Sequence, residues 1–114
     1  MDEVLENAWN EVQRFIKERF GKSADMKSVL FIIGLREMGR KESSLTKEQK
    51  MDLMNLAFCR ISSLSGYFEI KEKDEDGWPI WKQVKPLPQM NSKEQEIFIK
   101  EHVITYFKAE KLIN

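Results

Sequence analysis

The sequence predicts a mainly α fold: a compact four-helix bundle-like domain with a β-hairpin inserted between helices three and four. Three observations point to it. In three segments apolar residues recur every three or four positions, the period of a helix with one buried face, and another, apolar all round, has the length and end signals of a buried helix. Two of those segments open on a capping sequence, Thr46-Lys47-Glu48-Gln49 and Ser92-Lys93-Glu94-Gln95, in which a hydroxyl and a long polar side chain satisfy each other's backbone amides. Between these two helices the period falls to two around an Asp-Gly turn signal.

The first helix is predicted over about Glu3 to Phe20. Val4, Leu5, Ala8, Trp9, Val12, Phe15, Ile16 and Phe20 form its stripe, acids crowd its start, and Lys17 and Arg19 lie near its end. That order of charge complements the helix dipole, and Gly21 supplies the stop. The second helix, about 26–38, has Asp25 as an N-cap candidate and Gly39 as terminator. Its middle, Val29-Leu30-Phe31-Ile32-Ile33-Gly34-Leu35, is apolar all round, which marks it as the central helix; a buried strand is the alternative, and the length and both end signals favour helix. Glycine is a poor residue for a helix interior, so Gly34 implies close approach by a neighbour.

A charged, serine-containing connection over 40–45 leads to the third helix, about 47–64. Met51, Met54, Phe58 and Ile61 form one stripe there, and Leu53, Leu56, Ala57 and Leu64 an adjoining one. The hairpin is expected over about 67–84. Tyr67-Phe68-Glu69-Ile70-Lys71 alternates, Asp74-Glu75-Asp76-Gly77 turns, and Trp78 to Val84 returns, with Pro79 limiting that arm to an edge or a late start. The fourth helix is predicted over about 93–112, with Ile97, Phe98, Val103, Ile104 and Phe107 inward.

All of this fits one domain over residues 1–114, since a chain of 13.5 kDa can hide about two-thirds of its extended surface. Nineteen Lys+Arg balance nineteen Asp+Glu, which argues against a strongly basic nucleic-acid-coating protein and against an acidic solvating tail. One cysteine, Cys59, excludes an intrachain disulfide, and with a single histidine, His102, it cannot build a structural zinc site. No metal or cofactor is therefore expected. The acidic start lacks the pattern of a signal peptide, and the longest apolar run is far shorter than a membrane span. The expectation is a cytoplasmic protein with a reduced Cys59 buried as a small hydrophobe.

Candidate chemistry is sparse. Glu72, Asp74, Asp76 and Gly77 match the opening of an EF-hand loop, but Gln83 falls where a bidentate Glu is required and Pro79 interrupts the loop. His102 lacks the Glu-x-x-His spacing of di-iron bundles, because Ile99 stands at the glutamate position. It reads as a surface or boundary histidine, and Glu37, with Arg36, as a solvated helix-end acid. If the chain holds a ligand pocket between helices, Glu37 or His102 is the candidate polar residue at its centre. No phosphate loop, nucleophile elbow or metal triad occurs, so no catalytic residue is assigned.

The hairpin carries Tyr67, Trp78 and Trp81, aromatic types favoured at binding hot spots. Lys71, Lys73, Lys82 and Lys85 lie among them, but five acids (Glu69, Glu72, Asp74, Glu75, Asp76) outnumber these four lysines, the wrong sign for phosphate. Phe68, Ile70 and one Trp are expected to pack the hairpin onto the helices. The other aromatics would then anchor a protein partner.

The order helix three, Gly66, strand, Asp-rich turn, strand resembles the wing of winged-helix repressors, over residues 60–85 alone. The resemblance implies duplex binding by the preceding helix. The run Gly66-Tyr67-Phe68, Asp76-Gly77-Trp78-Pro79 and Leu87-Pro88, with Asp52-Leu53-Met54, resembles a group of small bacterial proteins without an assigned activity. The leading functional expectation is a non-catalytic protein-interaction module that binds a partner protein or itself as a homodimer. The alternatives are a winged-helix-like nucleic-acid binder and a small-ligand binder or enzyme with an interhelical pocket. No membrane association is expected.

Overall fold

A computed structural model describes residues 3–39 and 45–114. It contains α1 (Glu3–Phe20), α2 (Met26–Met38), α3 (Lys47–Ser63), β1 (Phe68–Lys73), β2 (Pro79–Gln83) and α4 (Ser92–Ala109) in chain order. The mainly α class with a hairpin between the third and fourth helices is as the sequence predicts. The connection read over 40–44 lies outside the described residues. The chain divides into two compact units, Met1–Met26 with Gln89–Asn114, and Lys27–Pro88.

The first unit pairs α1 with α4. Trp9, Val12 and Ile16 of α1 are buried, as are Phe98, Val103, Ile104, Tyr106 and Phe107 of α4. Phe15 meets Phe107 edge-on, with ring centroids 5.6 Å apart at 88°, a favoured aromatic geometry. Lys100 lies nearly buried, its ammonium 5.4 Å from the centre of the Trp9 ring and 3.8 Å from Glu6. Its alkyl stem is covered while its charge finds both a π face and a carboxylate. Val4 and Phe20, counted in the apolar stripe, are exposed at 73% and 56%. They sit at the two ends of α1, where a stripe outruns its partner.

Gly21 closes α1 with φ +82°, its amide donating to Lys17 at 2.8 Å. The Gln13 side chain then pins the outgoing loop by bonding both the carbonyl and the amide of Ala24, at 2.7 and 3.0 Å. α4 begins one residue earlier than its sequence signal. Its cap is Asn91, whose side chain accepts from the Glu94 amide while Glu94 accepts from the Asn91 amide. This places a carboxylate at the third helical position, where the dipole favours it over Gln95. α4 also stops at Ala109 rather than near Leu112. Lys111 takes φ +60°, with Lys111 donating to Lys108 and Leu112 to Phe107, the two bonds of a Schellman motif.

In the second unit the capping box of α3 forms as read, Thr46 and Gln49 bonding each other's amides. Val29, Leu30, Ile33 and Gly34 of α2 are buried; Phe31, Ile32 and Leu35 are half-buried, and Lys27, Ser28 and Arg36 are exposed. A Cβ on Gly34 would run into the Leu53 backbone carbonyl of α3, with the carbonyl carbon at 2.8 Å and Leu53 Cβ at 2.9 Å. The bare glycine is what allows α2 to rest on the α3 main chain at this point. Leu53, Leu56, Ala57 and Ile61 complete the buried side of α3. The other apolar stripe of α3 splits: Ile61 is buried, Phe58 and Met54 are half-buried, and Met51 is 53% exposed. Cys59 is half-buried rather than enclosed, and burial raises its thiol pKa above the ordinary value.

The strands are antiparallel and pair Phe68 with Gln83, Ile70 with Trp81, Glu72 with Ile80 and Lys73 with Pro79. A bulge between Ile70 and Glu72 leaves Lys71 over. At the turn Gly77 adopts φ +84° and donates to Asp74, while the Asp74 carboxylate accepts from the amides of Asp76 and Trp78. The carboxylate considered as a calcium ligand thus holds the turn. Phe68 packs edge-on to Phe58 of α3 at 6.3 Å, which anchors the base of the hairpin. Ile70, expected to pack, is 51% exposed because it lies further out along the strand.

A non-glycine residue in the left-handed region is strained by about 1–2 kcal/mol. Lys111→Gly should therefore raise the unfolding free energy by up to about 1 kcal/mol in urea titration, the remainder being offset by glycine's greater freedom in the unfolded chain.

Candidate functional site

The second unit contains a cleft of about 370 Å³ lined by Glu37 and Met38 from α2, Leu56 and Arg60 from α3, and Ile70, Lys73, Gly77, Pro79 and Trp81 from the hairpin. The strand register explains this lining. Directly paired residues share a face of the sheet, so Ile70 with Trp81 and Lys73 with Pro79 point together into the cleft. Without the bulge Lys73 would fall on the opposite face and Glu72 would take its place. The extra residue reverses the phase, keeps Glu72 away from Glu37, and brings a cation in.

The Arg60 guanidinium binds the Glu37 carboxylate, Nε to Oε1, at 3.1 Å, with both side chains about three-quarters covered. Arg36 lies 3.7 Å from the other carboxylate oxygen. Glu37 is therefore paired across two helices and is not the solvated helix-end acid the sequence implied. Its neighbour on α3 lies twenty-three residues away in the chain, beyond the reach of any local pattern. Arg60 also donates to the Ser63 hydroxyl at 3.4 Å, and that hydroxyl donates back to the Arg60 carbonyl. These contacts hold the guanidinium against the cleft wall.

Trp81 is half-buried in the cleft wall, and its indole N–H is covered without a hydrogen-bond partner. An orphaned buried donor costs about 1–3 kcal/mol, and such groups call for an explanation. Trp78 is half-buried at the mouth of the turn, where its amide bonds Asp74. Tyr67 carries the Lys85 ammonium 4.2 Å above its ring, and the same ammonium donates to the Ser65 carbonyl at 2.9 Å. The three hairpin aromatics accordingly do not form one patch: Trp81 alone lines the cleft, and Tyr67 is covered by a lysine of its own chain.

His102 belongs to the other unit. Its ring stacks on Phe98, centroids 4.1 Å apart, and Nδ1 lies 2.7 Å from the Phe98 carbonyl. Because a carbonyl only accepts, Nδ1 carries the proton of that bond. This is a boundary histidine fastened to its own helix. Glu37 and Trp81 line one cleft. Sequence reasoning missed Arg60, Lys73, Met38, Leu56 and Pro79 as cleft residues. Among the described residues no three His, Cys, Asp or Glu side chains gather as a metal-binding group, and no helix is long and apolar enough to cross a membrane.

A double-mutant cycle on Glu37→Ala and Arg60→Ala should give a coupling of about 1 kcal/mol, falling as salt is raised. Urea unfolding of the four proteins measures it.

No family model matches this chain, and neither a curated protein nor a solved structure matches it.

Proposed function

We propose that this chain is a non-catalytic interaction module whose recognition surface is the cleft beneath the hairpin. Its occupant is a short apolar segment of a partner protein that carries a hydrogen-bond acceptor. The observation behind this reading is the convergence on one cleft of an exposed Ile70, the Trp81 indole with its unpartnered N–H, and the cations Arg60 and Lys73. Trp and Arg are the residue types that most often dominate binding energy when they sit in a pocket. A bound carbonyl or carboxylate would pair with the indole N–H once the ring turns to uncover it, and Lys73 favours an acidic acceptor. The acidic tip of the hairpin, Asp74 to Asp76, speaks against phosphate as the occupant.

A small-molecule occupant is the second reading, favoured by the cleft volume, which lies near the lower end of the range for ligand pockets. Its polar groups would be Glu37, Arg60 and the Trp81 N–H.

The test is a nuclease-treated pull-down from the native host with wild type, Trp81→Phe and Ile70→Glu as baits, each confirmed folded by circular dichroism. Trp81→Phe keeps an aromatic body and removes the orphaned donor, so it should hold wild-type stability to within about 1 kcal/mol. Ile70→Glu places a charge on an already exposed position. A protein retained by wild type and lost by both variants is the expected result. Equal retention by all three would remove the cleft as the binding surface. Self-association lost in the same variants, read by analytical ultracentrifugation, would make the partner a second copy.

A further inference from the structure

A second surface of the same unit has a different chemistry and does not depend on the hairpin cleft. Lys47, Lys50, Met51, Met54 and Asn55 line a groove of about 430 Å³ together with Lys27 from α2. On α3 these positions are spaced at three, four, seven and eight residues from the first, which is one continuous stripe of a helix. Met51 is 53% exposed and Met54 half-buried, so the floor is apolar and open. Three exposed lysines rim it and, among the described residues, no acid lines it, while Glu48 and Asp52 of α3 lie outside the lining. None of the three lysines is held in an ion pair by a described residue.

We propose that this groove docks an acidic amphipathic helix of a partner protein, with apolar side chains of the partner on Met51 and Met54 and its flanking carboxylates on Lys27, Lys47 and Lys50. Charge complementarity selects the occupant: an apolar floor inside a cationic rim fits a helix whose apolar stripe is bordered by Glu and Asp. The stripe from Lys47 to Asn55 extends about 12 Å, two turns of a docked helix. Methionine suits such a floor because its unbranched, polarizable side chain repacks around different partner residues, and a helix laid in an apolar groove is an established mode of peptide recognition. Phosphate of a nucleic acid would find lysines here, but the methionine floor would be left without a partner.

The experiment is a selection from a displayed library of short helical peptides, with apolar and charged residues randomised over every face, against the wild-type chain. Enriched peptides are then synthesised and their affinity is read by fluorescence anisotropy. Enriched sequences should pair an apolar stripe with flanking acids and should lose affinity at least about tenfold, near 1.4 kcal/mol, on Met51→Glu. A comparable loss is expected on Lys47→Glu with Lys50→Glu, and lysine-for-glutamate versions of the peptides should recover binding to that charge-reversed variant. All altered positions are exposed, and unchanged circular dichroism and urea unfolding confirm that the variants fold. The ion-pair component should weaken with salt. Failure to enrich any peptide, enrichment of basic or uncharged peptides, or binding that survives both variants would overturn the proposal. Flotation with phosphatidylserine vesicles that depends on the same lysines, in the absence of peptide enrichment, would overturn it in favour of a lipid surface. Because none of these variants lies in the hairpin cleft, failure here and failure of the cleft reading are distinguishable.

Discussion

The contact on which the second unit depends is that of Gly34 with the backbone of Leu53. Two α-helices ordinarily meet through side chains, at interaxial distances of 8–10 Å. At Gly34 the side chain is absent and α2 lies directly against the main chain of α3. A helix-interior glycine is unfavourable by about 1 kcal/mol relative to alanine. It is tolerable here because a side chain at this position would run into the Leu53 carbonyl, and Gly34 lies buried beside Ile33 while Leu53 is itself fully buried. The same approach brings Glu37, one turn beyond Gly34, within hydrogen-bond distance of Arg60. The wall of the cleft is therefore a consequence of a packing contact, and the ion pair reports on it.

The hairpin is positioned by a different device. A two-stranded sheet is marginal alone, and this one leans on α3 through Phe68 and Phe58. Its turn is fixed by the Asp74 carboxylate and by the left-handed Gly77, and its phase by the bulge near Lys71. One leftover residue decides which charge enters the cleft. With Lys73 in the lining and Glu72 outside it, the cleft has two cations and one acid among the described residues, and Trp81 stands in its wall. On the two proposals, both the hairpin cleft and the Met51 groove would receive acidic partners, although they are built from different elements.

The four helices and the hairpin were legible because their determinants are local: apolar periodicity, the Thr46–Gln49 box, and glycines at 21, 39, 66 and 77, each with positive φ where a helix or turn ends. Gly34 announced itself as a costly residue that a close neighbour would justify. The departures arise where two local signals compete or where a contact is distant in sequence. Asn91 and Ser92 are both good caps, and only the reciprocal bond to Glu94 decides between them. The bulge leaves no pattern of its own, so the inward position of Lys73 could not be read. The pairing of Glu37 with Arg60 is a tertiary fact. Met51 and Phe58 share a stripe by sequence, yet only the lower part of α3 receives the hairpin, and so the methionine end stays open.

The most direct measurement is the unfolding free energy of Gly34→Ala by urea denaturation. If this position were an ordinary helix interior, the substitution would stabilise the protein by about 1 kcal/mol. Where the new methyl must enter the Leu53 carbonyl, overpacking of about 1–3 kcal/mol opposes that gain and the helices must separate. A net loss of stability is expected, together with a weakened coupling between positions 37 and 60. A more stable Gly34→Ala protein with the coupling intact would show that the close approach at Gly34 does not hold the two helices.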